Sequence, residues 1–365
     1  MKIGILTMHA VPNYGSFLQA YSLKRQMEQR GADVRFLRLK QGRQILPQPA
    51  GTDALAGKLR PYLNRYALQM LLNRRKNREL NALHWQELRD YLCREPALPE
   101  DVYDLAVIGS DEVFGCCSRT VWGFSRQLFG DIPNAKKVVS YAASCGPTTY
   151  EQTEQYGITD ELRTLLGGFA RISVRDENTR EFVARITGQT PELHVDPVFL
   201  LDDTLPAPEC PEAKPFLIVY AYSNRITDPK EIRQIRRYAR QKGLEILCIG
   251  QPQSWCRRCP VLSSFEVLSY FRAAAAVVTD TFHGTVFSIL KNRPFAVLVR
   301  DSNRNKLEGL LRQFSLADRE VTDRRSVDEI LSAPVDYGRV NTFLNAERTR
   351  SAAYLDAVVG LARSE

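Results

Sequence analysis

Reactive side chains in this chain collect directly after short apolar runs. The most informative group is Thr279-Asp280-Thr281-Phe282-His283-Gly284-Thr285-Val286-Phe287, where an apolar run ends in a polar turn and His283-Gly284 opens an apolar helix. Free backbone N–H groups and the helix dipole draw anions to such an N-terminus. An imidazole placed there can donate a proton near neutral pH. The chain has only 4 histidines, and a ligand-facing role for this one outweighs a purely structural role. Ser173-Val174-Arg175-Asp176-Glu177 puts an arginine at the end of a buried strand, which is costly without an anionic partner. Either Arg175 pairs with a protein carboxylate, with Asp176 as a helix cap, or its planar fork grips a ligand carboxylate or phosphate. In Gly109-Ser110-Asp111-Glu112-Val113-Phe114, Ser110 and Asp111 suit a helix cap and equally suit the hydroxyls of a sugar. Pro12-Asn13-Tyr14-Gly15-Ser16 is either a tight turn or a binding loop, since Gly15 permits close backbone approach and Ser16 can cap a helix. It is not a GxGxxG, so a dinucleotide fingerprint is not supported.

The elements that must position these groups alternate between strand and helix. Lys2 to Thr7 reads as a strand and Phe17 to Arg30 as a helix, with Ala20, Leu23 and Met27 at helical spacing. Gly31 is a natural stop, and Asp33 to Leu39 is the next strand. Residues 44–100 break the rhythm with a helical, Arg-, Leu- and Asn-rich insertion. Strands resume at Leu105 to Gly109, Lys137 to Ala142, Arg171 to Val174 and Glu192 to Val195, with helices at Thr159 to Leu166 and Asn178 to Ile186. Leu201 to Pro215 is a linker by its proline content. A second series follows, with strands at Phe216 to Tyr222, Glu245 to Ile249, Ala275 to Thr279 and Ala296 to Val299. Its helices are Pro229 to Gln241, Phe265 to Ala273 and a short one from Gly284, with a long final helix at Asn341 to Leu361. The expected organisation is α/β: a domain over 1–205, a second over 212–340, and a helix over 341–365 that packs back on the first. Two parallel sheets facing one another form a cleft at the carboxyl ends of their strands.

Composition narrows the class. The 365 residues are 44% hydrophobic and 25% charged, the balance of a soluble globular chain. No apolar run approaches the roughly 20 residues of a spanning helix. The N-terminus carries no signal-peptide pattern, so a cytoplasmic location is expected. The net charge of +8 is densest over 58–78, where a solvated basic helix face is favoured over a dock for an anionic surface at the inner membrane face. Nothing matches a nucleic-acid module. The 8 cysteines do not form a secreted framework. Cys256-Arg257-Arg258-Cys259 reads as a surface loop with two thiols, because no second pair supplies a zinc site. No metal and no cofactor are expected.

Thr279-Asp280-Thr281-Phe282-His283-Gly284 resembles the TDSFHG-type signature of the polysaccharide pyruvyl transferase family. Asn13-Tyr14-Gly15 with Gln19-Ala20, Gly109-Ser110-Asp111, Ser140-Tyr141-Ala142-Ala143-Ser144, Ser173-Val174-Arg175-Asp176, Asp196-Pro197 and Asn292-Arg293-Pro294-Phe295 follow the family order. Glu112, Phe114 and Thr281 depart from it, standing where Gln, Trp and Ser are commoner. The resemblance implies two Rossmann-like domains in a GT-B-like arrangement with an interdomain cleft. It also implies transfer of a pyruvyl group from phosphoenolpyruvate to a sugar as a cyclic ketal, with phosphate released. His283 and Arg175 take the family's catalytic positions. Asn13, Tyr14, Gly15, Ser110, Asp111, Thr281, Gly284 and Lys306, with Arg304 as the other basic candidate, are the expected binding residues. The acceptor is a glycan, free or lipid-linked. The competing expectations are a nucleotide-sugar glycosyltransferase of the same architecture and an inactive glycan-binding relative.

Overall fold

A computed structural model describes residues 1–47, 67–98, 100–118, 120–202, 205 and 208–363. Strands β1 (Lys2–Leu6), β2 (Asp33–Phe36), β3 (Leu105–Ile108) and β4 (Val138–Ser140) form a parallel sheet in the order β2-β1-β3-β4. A short parallel pair, β5 (Ser173–Val174) and β6 (Glu192–Leu193), extends it through single bridges from Val139 to Arg171 and from Ala143 to Val174. A separate parallel sheet follows, built from β7 (Phe216–Ala221), β8 (Glu245–Gly250), β9 (Ala276–Thr279) and β10 (Phe295–Val297) in the order β10-β9-β7-β8. Every residue of β3, β7 and β9 is buried, as expected of parallel strands covered on both faces. The continuous apolar runs that mark these strands in the sequence have this cause.

Helix α1 (Tyr14–Glu28) begins one turn earlier than its apolar spacing predicts, because Asn13 caps it by accepting the Ser16 N–H at 2.7 Å. The insertion contains α2 (Ala67–Glu87) and one π-helical turn at Leu88–Leu92. Part of the basic stretch, 58–66, lies outside the described residues, while Arg74, Arg75 and Arg78 are exposed on α2. No described helix is long and apolar enough to cross a membrane. One hydrophobic cluster runs through both halves, including Ile3, Phe17 and Leu105 from the first and Ile218, Phe265 and Val286 from the second. The last helix, α11 (Tyr337–Arg363), lies against the first half: Tyr354 Oη donates to Ser140 O at 2.8 Å, and Arg350 to Leu193 O at 3.0 Å. The structure also corrects the reading of the CxxC. Cys256 and Cys259 are buried with Cys248 in the core of the second half, because their loop folds back on β8 and Arg258 O accepts the Cys248 N–H at 2.8 Å.

Candidate active site

The helix after β9, α8 (Phe282–Leu290), opens at Phe282, not at His283-Gly284 as the sequence suggests. Thr281 is its cap, accepting the Gly284 N–H at 3.0 Å. His283 therefore sits within the first turn and projects sideways across the cleft toward the first half. Gly15 of α1 meets it there. A β-carbon at Gly15 would lie 2.1 Å from the His283 ring, so glycine is required by this approach and not by backbone strain.

Beyond His283 lies Asp196, which follows β6 and caps the 3-10 turn Pro197–Leu200 through the Val198 N–H at 3.0 Å. Its Oδ2 is 3.6 Å from His283 Nε2 and 2.7 Å from Arg175 Nη1. Burial alone would raise the Asp196 carboxyl. The charges of His283 and Arg175 and the Val198 N–H outweigh it and hold the carboxyl at about 2. Arg175 is paired with protein carboxylates: besides Asp196, Asp111 Oδ1 lies 3.9 Å from Nη2, and the Phe282 ring covers the guanidinium at 4.1 Å. Burial opposes the charge on Arg175, yet Asp196, Asp111 and Asp176 more than offset it. Its Nε retains no hydrogen-bond partner, and His283 Nε2 has only the longer approach to the Asp196 carboxylate.

Ser110 and Asp111 cap no helix. The Ser110 hydroxyl donates to Ala142 O at 2.7 Å and lies 3.5 Å from Asp196. Asp111 takes a left-handed φ of 79° and accepts the Ser16 hydroxyl at 3.0 Å. Asn13 Nδ2 in turn donates to Ser16 Oγ at 3.0 Å. Tyr14 is a tie between the halves, its hydroxyl donating to Leu262 O at 2.9 Å. Of the two basic candidates, Lys306 faces the cleft and pairs with Glu112, whereas Arg304 pairs with Asp301 and Glu308 on an exposed helix face. Desolvation of Glu112 is outweighed by Lys306, Arg175 and His283, so its carboxyl is held below its ordinary range. Two cations and three carboxylates thus surround His283. Asp280 lies behind the helix, where Arg225 Nε approaches its carboxylate at 3.0 Å and Asn303 donates to its carbonyl at 2.6 Å.

Asp196, Glu112, Phe282 and His84 are the site members that sequence reasoning did not assign. Asp196 had a signal, its place between a strand and a proline. His84 had none, since α2 shows no clean apolar stripe. His84 and Leu80 help line an open cavity of about 580 Å³ together with Asn13, Tyr220, Tyr222 and His283. Burial pushes His9, His84 and His194 each down to about 4, so these three are uncharged at neutral pH.

A sequence profile of the polysaccharide pyruvyl transferase family matches residues 13–302. No curated protein matches the chain. Among solved structures, UGT89C1 of Arabidopsis thaliana complexed with UDP aligns at 13% identity and a TM-score of 0.51, covering 99% of each chain. The Streptomyces sp. SF2575 glycosyltransferase SsfS6, complexed with thymidine diphosphate, aligns at 12% identity and a TM-score of 0.45, again covering 99% of each. At 13% identity the likeness to UGT89C1 is one of fold, the α/β GT-B arrangement of two sheets.

Proposed function

Starting from the fact that the chain belongs to the polysaccharide pyruvyl transferase family, we propose that it transfers a pyruvyl group from phosphoenolpyruvate to two hydroxyls of a glycan. The products are a cyclic ketal and phosphate. The observation that carries the reading is the position of His283. Its Nε2 faces the Asp196 carboxylate at 3.6 Å, and the residue also lines a cavity to which the described residues contribute no lysine or arginine. Lys306 and Arg175 are suited to a small polyanion, and the cavity to a neutral polyol.

In this reading His283 delivers a proton to the methylene carbon of the donor and C2 becomes electrophilic. One acceptor hydroxyl adds to C2, the C–O bond to phosphate breaks, and a second hydroxyl closes the ring. Of the two hydroxyl protons, one replaces that given by His283 and the other leaves with phosphate. Asp196 holds Arg175 and faces the imidazole, so it positions both. A donor phosphate competes with Glu112 for Lys306.

The test is phosphate release from phosphoenolpyruvate with a panel of free and lipid-linked sugars, alongside thermal shifts with phosphoenolpyruvate, UDP-glucose and GDP-mannose. A ligand that binds the native state alone raises Tm. A shift with phosphoenolpyruvate and acceptor-dependent phosphate release are expected. A shift with a nucleotide sugar alone would replace the reading with glycosyl transfer, and glycan binding with no release would replace it with an inactive relative.

A further inference from the structure

We infer that Cys256 and Cys259 form a redox-active dithiol, a modification site for small anionic disulfides of the glutathione class, with Cys259 as the attacking sulfur and Cys256 as the resolving one. The site goes beyond the transfer reaction and does not depend on it.

Three thiols meet here. Cys248 comes from β8, and Cys256 and Cys259 come from the loop that folds back on that strand, bridged between Leu247 and Arg258. All three side chains are within hydrogen-bonding reach of one another. Each thiol carries a single hydrogen to give. While all are protonated, Cys248 Sγ has Gln251 O at 3.3 Å as its acceptor and Cys256 Sγ has Arg258 O at 3.5 Å. Once Cys259 releases its proton, both neighbours can turn their hydrogens to its sulfur. These two bonds hold the Cys259 thiol far below its ordinary value against the cost of burial, and Lys76 of α2 adds to them. The same bonds and burial keep Cys248 protonated. In Cys256 the contact with Cys248 favours the thiolate, but Cys259 and burial outweigh it. The cluster thus carries one negative charge, and Cys259 bears it.

Access and charge select the same sulfur. Cys259 is 8% exposed, against 3% for Cys256 and 0% for Cys248. Arg257 is exposed two residues before it and, with Lys76, suits a disulfide that carries carboxylates. Among the described residues no group of three His, Cys, Asp or Glu is placed to hold a metal ion, which favours thiol exchange over metal binding. The site lies one loop from the cleft. Gly250 and Gln251 line the cavity beside His283, and Gln253 Nε2 ties their loop to Tyr222 O at 2.7 Å.

In the exchange, the Cys259 thiolate attacks one sulfur of the ligand RSSR, the ligand's S–S bond breaks and RS⁻ leaves. Cys256 then gives up its proton and attacks the Cys259 sulfur. The mixed disulfide breaks, and the second RS group leaves with that proton as RSH. The two cysteines lose two electrons, which the ligand gains as RS⁻ and RSH.

Two measurements on the full reduced chain test this. The first is the rate of iodoacetamide alkylation at pH 6, followed by mass spectrometry. Cys259 should react at least about tenfold faster than Cys93 and Cys210, whose thiols burial raises, because an ordinary thiol is almost wholly protonated there. An equal or slower rate overturns the proposal. The second is incubation with oxidised glutathione and mapping with trypsin and chymotrypsin, whose cuts at Arg257 and Trp255 separate the three cysteines. Wild type should yield a Cys256–Cys259 disulfide, Cys256→Ser should hold one glutathione on Cys259, and Cys259→Ser should give neither product. A bond from Cys248 to Cys259 overturns the assigned partner, and stoichiometric zinc in the purified chain overturns the dithiol. The wild-type alkylation rates decide the matter even if either variant fails to fold.

Discussion

Gly15 and His283 make the sharpest residue-level prediction. Gly15→Ala adds one carbon that would sit 2.1 Å from the imidazole, so His283 must swing away while α1 keeps its helical backbone. Because His283 Cβ would also lie only 2.7 Å away, the two helices must part slightly: turnover should fall at least tenfold and the melting temperature should drop, measured by phosphate release and calorimetry. His283→Gln should lower turnover by ~10²–10⁴-fold, the usual worth of a general acid, while phosphoenolpyruvate still shifts Tm. Normal turnover in that variant would end the assigned role. Asp280 predicts a pH effect. Burial raises its carboxyl from 3.8 to about 6, against the pull of Arg225. Between those values the unfolded chain has released the proton and the native chain keeps it. Its contribution is therefore fully present below 3.8, falls as pH rises through about 6, and is flat above. Asp280→Asn cannot ionise, so wild type should lose roughly 2–3 kcal/mol relative to it between pH 4 and 7 in urea unfolding. A flat difference would refute the buried-acid assignment. The single-residue signals in the sequence led to His283 and Arg175, because a histidine after a strand and an arginine at the end of a buried strand are rare enough to stand out, whereas Lys306 came only from the family resemblance, with Arg304 beside it. Of the partners of these residues, Asp196 showed only its place between a strand and a proline, and its pairing with Arg175 and His283 was not legible. Asp196 and Glu112 acquire meaning only when loops from separate strands converge.

At the scale of elements, α2 is tied to the second half by one carboxylate. Glu87 accepts the Ser264 N–H at 2.7 Å and its hydroxyl at 2.8 Å. It thus places its acidic side chain at the N-terminus of the helix Ser264–Ala273, where the helix dipole favours it. Glu87→Ala should cost about 2 kcal/mol in denaturant unfolding. It should also weaken glycoside binding in the cavity, because Leu80 and His84 ride on the same helix. The strands were legible to within a residue or two wherever the apolar run was continuous, as at Leu105–Ile108. The helices Tyr150–Gln155, Arg304–Gln313 and Val327–Ser332 were not. Two of these are short and announced by capping boxes, and the third is charged over most of one face.

At the scale of the molecule, α11 clasps the half that the chain left some 130 residues earlier. Besides the Tyr354 and Arg350 contacts, Arg348 Nε donates to Phe199 O at 2.7 Å and Arg30 Nε to Asp356 at 2.7 Å. Tyr354→Phe should cost about 1 kcal/mol and speed hydrogen exchange in Val138–Ser140 more than in Phe216–Ala221. Equal acceleration in both sheets would show that the helix does not brace the first half selectively. The alternation of strands and helices and the proline-rich stretch between two series made the pair of sheets legible. The path of the last helix depended on tertiary contacts that no local pattern encodes.

The meeting of His283 with Gly15 and Asp196 has a consequence for how the protein behaves when idle. The imidazole comes from one half, and the glycine and carboxylate beside it come from the other. They are two plates of a switch, and any parting of the halves opens the circuit. On the proposed chemistry, a donor protonated in a wide, wet cleft would react with water and leak away as pyruvate. An acid wired from both sides is disarmed in that open posture, so the leak should be smallest when the cleft stands widest.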